Sequence, residues 1–172
     1  MSNPLYVSYH DTEWGVPLHD DRRLFEMLLL ESFQAGLSWE CVLNKREAFR
    51  LAFDGFDFEA IAHYGEDKTA LLAQNKAIIR NRLKIKAAVA NAIVFGRIRA
   101  QFGSFDSYIW GFTDGRTVVE RGRATSPLSN QVSADLRRRG MKFVGSTMVY
   151  SLLQAIGVIS SHEEGCYLAQ RC

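Results

Sequence analysis

Proline and cysteine are both scarce in this sequence of 172 residues. There are only three prolines, and because proline interrupts helices, this scarcity favours a chain made mostly of helix. The cysteines are also only three, Cys41, Cys166 and Cys172. An odd, low number of cysteines argues against a disulfide framework and indicates a reducing compartment, so we expect a cytoplasmic protein.

Long apolar segments are missing as well. No stretch of about 18 residues is apolar without a charge, which excludes a membrane-spanning helix. Residues 1–6 lack the basic stretch and the apolar core of a signal peptide. Hydrophobic residues still make up 47% of the chain, which is enough to pack a core without oligomerisation. Since no exposed apolar stripe stands out, we expect a monomer.

Several catalytic signatures are absent. The sequence contains no G-x-x-x-x-G-K-[ST], no G-x-G-x-x-G, no H-E-x-x-H and no G-x-S-x-G. Nucleotide hydrolysis, dinucleotide redox chemistry and zincin proteolysis therefore lack their sequence signals.

Acidic residues are absent from one long stretch, 74–105. The same stretch holds seven basic residues, Lys76, Arg80, Arg82, Lys84, Lys86, Arg97 and Arg99. Because the whole chain carries only +2, this element is strongly basic on an otherwise acidic protein. Such a distribution is typical of a phosphate-backbone contact, although a solvated helix face would have the same composition.

The pattern of apolar residues and capping residues predicts an all-α fold of about eight short helices joined by tight loops. We expect these helices at about 20–36, 38–53, 57–62, 67–73, 80–102, 104–112, 127–139 and 146–157. Residues 114–126 are expected to be irregular, with Val118-Val119 as the only strand-like pair, and a polar tail is expected from Ser160 onward.

A break at 74–76 separates two of these helices and predicts a helical hairpin over about 66–102. The amino terminus of the second helix could present backbone N–H groups to a phosphate, since the helix dipole favours an anion there. Arg80, Arg82 and Lys84 would add positive charge at that point. An ordinary helical hairpin is the alternative interpretation.

Four aromatic residues stand out near the amino terminus and after a small-residue turn: Tyr6, Tyr9, Trp14 and Trp39. Aromatic faces stack on a flipped-out base and attract a cationic one. Core packing would account for the same residues.

Glu31 follows a strongly apolar helical run, Met27-Leu28-Leu29-Leu30. A carboxylate in that position must face a polar cavity, pair with a cation or reach solvent. It could accept a hydrogen bond from an adenine amino group or act as a general base. A solvated residue in the last turn is the alternative.

His162 and Cys166 are four residues apart, a spacing found in zinc sites. One such pair is a weak signal by itself. His10 could supply a third ligand if the two ends of the chain meet.

Several stretches resemble 3-methyladenine DNA glycosylase I, the constitutive bacterial branch of the helix-hairpin-helix glycosylase superfamily. They run in the family's order over nearly the whole chain. The matching segments are 4–17 (PLYVSYHDTEWGVP), 31–39 (ESFQAGLSW), 78–82 (IIRNR), 103–105 (GSF) with Trp110, 138–145 (RRGMKFVG), and His162 with Cys166.

This resemblance implies an all-α, helix-hairpin-helix DNA glycosylase fold, a single domain over 1–172 whose termini meet at a zinc site. It matches Glu31 to the family's base-recognising carboxylate. It matches four aromatic residues to the wall of the base pocket, namely Tyr6, Tyr9, Trp14 and Trp39. Gly36 and Leu37 match the loop that pushes into the duplex beside the vacated base.

The resemblance also matches His10, His162 and Cys166 to three of the family's four zinc ligands. The fourth ligand is a cysteine upstream of Tyr6, in a short Cys-x-Trp element that this sequence does not contain. Either the sequence is truncated or the site has lost a ligand, and Cys172 is a poor substitute. Three protein ligands with water remain a possible zinc site.

The expected activity is hydrolysis of the N-glycosidic bond of 3-methyladenine in double-stranded alkylated DNA, in the bacterial cytoplasm. The stretch 74–105 lacks the Asp that many superfamily relatives use to assist water attack. We expect a monofunctional glycosylase with no lysine Schiff base and no strand nicking. The alternatives are a DNA-binding relative without catalysis, and a helical module that binds a cationic small molecule.

Overall fold

The computed structural model describes residues 3–169. This part of the chain is mostly helical, as expected, and Cys172 lies outside it. Its α-helices, in chain order, are α1 (Pro4–Thr12), α2 (Asp21–Gln34), α3 (Trp39–Leu43), α4 (Arg46–Ala52), α5 (Phe58–Ala62), α6 (Glu66–Gln74), α7 (Arg82–Phe102), α8 (Phe105–Trp110), α9 (Pro127–Arg138) and α10 (Ser146–Ala155). Short 3-10 turns lie at Asp54–Phe56 and Gly111–Thr113.

Four predicted helix starts are confirmed by side-chain caps. The side chains of Asp20, Ser38, Asp57 and Ser104 each accept a hydrogen bond from a backbone N–H two or three residues further on. Pro127 occupies the first turn of α9, where a missing N–H does no harm. Local capping chemistry was therefore sufficient to place these boundaries.

Other boundaries were wrong. The helix expected over 38–53 is two helices, α3 and α4, interrupted at 44–45. The long helix α7 begins at Arg82 rather than Arg80, because Asn81 caps it by accepting from the N–H groups of Leu83 and Lys84. Ser146 is the first residue of α10 and not its cap.

Helix α1 was missed. Only Tyr9 of its nine residues is buried, and the sequence of the segment has almost no apolar periodicity that could have predicted a helix. The available signal was at its start, where Asn3 accepts from the N–H of Leu5 and Pro4 fills the first helical position.

Two very short strands, β1 (Val118–Val119) and β2 (Ile159–Ser160), pair in parallel. The strand-like character of the first pair is confirmed, but the second strand was not predicted, and its residue Ser160 was assigned to a polar tail. Ser160 and His162 are buried, so the chain after α10 packs onto the molecule instead of extending into solvent.

Helix α2 lies at the centre of the core. Every residue from Leu24 to Phe33 is buried, and the helix contacts α3, α7, α8 and α10. A helix that is covered on all sides can carry apolar residues all round, but its two buried carboxyl groups, Glu26 and Glu31, then need a specific environment. Glu31 lies in the last turn, where the core opens to a cavity.

None of the helices in residues 3–169 is long and apolar enough to cross a membrane.

Candidate active site

A cavity of about 230 Å³ opens at the end of α2. The structure brings together all five residues that the sequence predicted for a base pocket, although they come from three separate helices and the turn after α1. Its lining residues are Tyr6, Tyr9, His10, Trp14, Glu31, Gln34, Trp39, Ser151 and Gln154.

Glu31 is the acidic group of this cavity. It is only 4% exposed, and its Oε2 atom has no hydrogen-bond partner among the described residues. Burial disfavours the charged form and raises the pKa of the Glu31 carboxyl to about 8. A buried carboxyl without a partner is costly for folding, so its retention in a cavity points to a ligand that completes its hydrogen bonds.

Two further buried polar atoms of lining residues lack a partner among the described residues, the Tyr9 hydroxyl and the Trp39 Nε1. Their rings lie 5.2 Å apart at an interplanar angle of 45°. Burial, followed by the nearby charge of Glu31, raises the pKa of the Tyr9 hydroxyl, so it stays protonated and can donate. The cavity therefore offers aromatic faces together with a carboxyl and two donors.

Tyr6 and Trp14 also line the cavity. Tyr6 is 44% exposed and lies at the mouth of the cavity, one helical turn from buried Tyr9. Trp14 is half-buried, and its ring contacts the edge of the His162 ring at a centroid distance of 4.7 Å. Trp14 thus lies between the cavity and a second cluster of polar side chains.

Three lining residues were missed by the sequence analysis. Gln34 lies one turn beyond Glu31 on α2, a spacing that could have indicated a shared face. Ser151 and Gln154 lie on α10, more than a hundred residues away in sequence. Nothing in their local sequence indicates a cavity.

The second cluster consists of His10, His162 and Cys166. The Cys166 Sγ atom lies 3.7 Å from His10 Nε2 and 3.6 Å from His162 Nδ1, and all three ligand atoms lie within 4.8 Å of one another. Tetrahedral zinc with one sulfur and one nitrogen ligand would separate those two atoms by about 3.6 Å. The donor set and its spacing therefore fit a zinc ion.

Neighbouring groups orient these donors. His10 Nδ1 lies 2.9 Å from the Asp11 carboxylate, the outer-shell arrangement usual for metal-ligating histidines. Asp11 also accepts a hydrogen bond from the Tyr167 hydroxyl, and the Arg121 guanidinium donates to the His162 carbonyl at 2.8 Å. Helix α1 is thus fastened to the chain after β2.

The turn at Gly36-Leu37 lies beside the cavity, directly after α2. Gly36 has a φ of +83°, which favours glycine, and a side chain there would meet nothing within 4 Å. Leu37 is 40% exposed. A large apolar side chain thus projects from a tight, solvent-facing turn next to the pocket.

The expected hairpin consists of α6 and α7, which are joined by residues 75–81 and pack against each other. Arg80 and Arg82 are exposed at this turn. The placement of Lys84 in a phosphate-binding surface was wrong. Lys84 is only 6% exposed, and its Nζ donates to the backbone carbonyls of Phe33 and Ala35, so its ammonium group is not available to a phosphate.

Known proteins are similar to this chain in sequence. The chain matches the sequence model of the Methyladenine glycosylase family over residues 1–170. It is 41% identical to DNA-3-methyladenine glycosylase 1 of Escherichia coli K12, across 95% of this chain and 91% of the relative. It is 37% identical to DNA-3-methyladenine glycosylase of Haemophilus influenzae, across 94% and 91% respectively.

Solved structures show the same fold. A crystal structure of 3-methyladenine DNA glycosylase I has a TM-score of 0.91 at 42% identity, covering 97% of this chain and 95% of the other. The Staphylococcus aureus enzyme, studied for its recognition of 3-methyladenine, has a TM-score of 0.94 at 34% identity, covering 97% and 92%. In sequence and in fold alike, this chain belongs to the methyladenine glycosylase family.

Proposed function

We propose that this chain is a DNA-3-methyladenine glycosylase, a hydrolase that removes 3-methyladenine flipped out of alkylated double-stranded DNA at the start of base excision repair. The names of its relatives support this activity. The observation in the chain itself that carries the proposal is Glu31, a buried carboxyl without a partner among the described residues, in an aromatic cavity.

The cavity suits a methylated adenine because that base is positively charged. The faces of Tyr9, Trp14 and Trp39 attract a cation through their ring quadrupoles. Glu31 accepts a hydrogen bond from the exocyclic amino group or the ring edge, and its ionised form favours the cationic base over neutral adenine. The aromatic faces and the Glu31 carboxylate together distinguish the cationic 3-methyladenine from the neutral bases of undamaged DNA.

The chemical step then needs little help from a general acid. Water adds its oxygen to the sugar carbon and gives up a proton to the solvent while the glycosidic bond breaks. The bonding electron pair leaves with the base and neutralises its charge. None of the described lining residues is a lysine. We therefore expect the reaction to be hydrolytic, without a Schiff base, and to leave an uncut strand at an abasic site.

Duplex DNA is held at the α6–α7 turn, which acts as the helix-hairpin-helix element. The amino-terminal dipole of α7 and the exposed Arg80 and Arg82 contact backbone phosphates, and Leu37 on its Gly36 turn fills the space beside the extruded base. The match over residues 1–170 supports a single domain, which we propose acts as a monomer in the bacterial cytoplasm.

Removal of Arg80 and Arg82 should weaken binding to any duplex in a salt-dependent way. Each lost phosphate contact lowers the slope of log Kd against log salt concentration by about 0.9. The double variant Arg80→Gln/Arg82→Gln should therefore lower the slope by about 1.8. Titrations of an abasic duplex at several salt concentrations measure the slope. Arg97→Gln is the matched control, because Arg97 is an exposed arginine of α7 some four turns away. An unchanged slope in the double variant would remove these two residues from the interface.

A structural zinc ion bound by His10, His162 and Cys166 would fasten α1 to the chain after β2. Such an ion stabilises the fold by crosslinking segments that are far apart in sequence, and it takes no part in the reaction. We expect about one zinc per chain in metal analysis, and Cys166→Ser should abolish it and lower Tm by several degrees. Cys41→Ser is the control, since Cys41 lies outside the cluster. Full zinc content in Cys166→Ser would contradict the site.

The activity is tested by incubating the chain with methylated duplex DNA and measuring free 3-methyladenine by chromatography. An end-labelled strand from the same reaction should remain intact until alkali is added. If the protein binds abasic duplex but releases no base, the chain is a DNA-binding relative without catalysis. If it binds no DNA and yet binds cationic ligands, the aromatic cavity serves a small molecule instead.

A further inference from the structure

Lys84 lies in the first turn of α7, yet its ammonium group is buried against the end of α2. Its Nζ donates to the Phe33 carbonyl at 2.8 Å and to the Ala35 carbonyl at 2.6 Å. A buried ammonium is unfavourable unless hydrogen-bond acceptors surround it. These two carbonyls therefore account for the position of the side chain.

The end of α2 requires such a partner. The last carbonyls of a helix have no donor within the helix, and the negative end of its dipole favours a cation. Helix α2 has no basic residue in its own last turn. Lys84 supplies the missing charge and donors from another helix.

The two bonded carbonyls flank a residue of the cavity. Phe33 and Ala35 lie on either side of Gln34, Glu31 lies one turn earlier, and Trp39 follows the turn at 35–38. Fixing these carbonyls therefore fixes the short segment that carries three lining residues.

At its other end, Lys84 belongs to the α6–α7 turn. Its backbone N–H donates to the Asn81 side chain at 3.1 Å, and Asn81 lies between Arg80 and Arg82. One residue thus connects the proposed phosphate-binding turn to the wall of the cavity through hydrogen bonds only.

We propose that Lys84 is a positioning residue that holds Glu31, Gln34 and Trp39 in the geometry for base binding and couples this geometry to the seating of the α6–α7 turn on DNA. The contact itself is independent of the proposed function, but its role in base excision rests on that function. Lys84 acts through α2 and touches neither base nor phosphate.

The test compares Lys84→Met, which keeps the unbranched apolar stem of the side chain but removes the ammonium group, with the same change at Lys86, an exposed lysine of the same helix. We expect Lys84→Met to weaken binding of free 3-methyladenine and to slow single-turnover excision at saturating enzyme, each by ten-fold or more. The salt dependence of duplex binding should equal that of the parent chain. Lys86→Met should bind free base as the parent does.

Two results would overturn the proposal. One is parental base affinity and excision in a folded Lys84→Met protein. The other is a smaller salt slope for Lys84→Met, which would make Lys84 a phosphate contact after all.

A measurement on the parent chain covers the case in which Lys84→Met does not fold. Because coupling between two sites is reciprocal, free 3-methyladenine added without DNA should shift the side-chain ammonium resonance of Lys84 in a nitrogen-15-labelled sample, and not that of Lys86. If the Lys84 resonance does not shift on addition of 3-methyladenine, the inference is likewise overturned.

Failure of the proposed function is distinguishable from failure of this inference. The function fails when the parent chain releases no 3-methyladenine from methylated DNA. The inference fails on the comparison between variant and parent. If the parent binds no base, acrylamide quenching of tryptophan fluorescence still reports whether Lys84→Met exposes Trp39, and unchanged quenching counts against it.

Discussion

Glu31→Gln should reduce the release of 3-methyladenine by at least about a hundred-fold at pH 8, while leaving affinity for an undamaged duplex unchanged. Glutamine has nearly the same shape as glutamate and can still accept a hydrogen bond. It cannot carry the negative charge that favours a cationic base in a dry cavity. Charge-assisted hydrogen bonds are worth about twice neutral ones, and low dielectric strengthens them further.

The dependence on pH should identify the ionised form as the active one. Burial holds the pKa of Glu31 at about 8 in the free protein, so most of it is protonated at neutral pH. We expect kcat/KM to rise with pH and to level off above about 8, because kcat/KM reports the free enzyme. The profile of Glu31→Gln should be flat over the same range.

Stability should follow the opposite course. Because the folded pKa of Glu31 is raised, its contribution to stability is complete below the unfolded value near 4.5 and is lost as pH rises through about 8. Tm of the parent chain should therefore fall between pH 4.5 and about 8 relative to Tm of Glu31→Gln.

Glu40→Gln is the control, because Glu40 is an exposed carboxyl close by in sequence. It should behave like the parent chain both in base release and in the pH dependence of Tm. Parental release by Glu31→Gln would remove Glu31 from the recognition of the base.

Arg46→Met should destabilise the fold by about 3–5 kcal/mol, the usual cost of breaking a buried ion pair, because Glu26 then keeps only its more exposed partner, Arg50. Arg46 is only 14% exposed and donates to Glu26 at 2.7 Å and to Glu13 at 2.8 Å. Glu26 is buried in the middle of α2, and Glu13 follows α1. One guanidinium thus joins the central helix to the helix that carries Tyr6 and Tyr9.

Denaturant unfolding with an unchanged m-value measures this loss. Arg50→Met is the matched control, because Arg50 also donates to Glu26 at 2.8 Å but is 38% exposed. It should cost less than half as much, since water can replace an exposed partner. Equal losses in the two variants would mean that the burial of Arg46 does not determine its contribution.

Local chemistry predicted much of the fold. Asp20, Ser38, Asp57 and Ser104 cap helices where the sequence indicated, because a cap depends on residues within three positions. Helix α1 was not predicted, because it buries a single residue and its sequence shows no apolar periodicity.

The resemblance predicted most residues of the cavity and the cluster of His10, His162 and Cys166. It did not predict two kinds of residue. Ser151 and Gln154 reach the cavity through the packing of α10, which their neighbours in sequence do not reveal. In the sequence, Lys84 is indistinguishable from the other cations of the basic stretch 74–105. Only the approach of α7 to the end of α2 makes it a buried donor.

The fastening of α1 to the chain after β2 also has a consequence for biosynthesis. His10 contacts Cys166, which lies 156 residues later, so this contact with α1 cannot form until the segment around Cys166 has been synthesised. Closing so long a loop delays this step relative to the local helices. The contact between α1 and the segment around Cys166 therefore forms late in folding, after the helices that depend on local contacts.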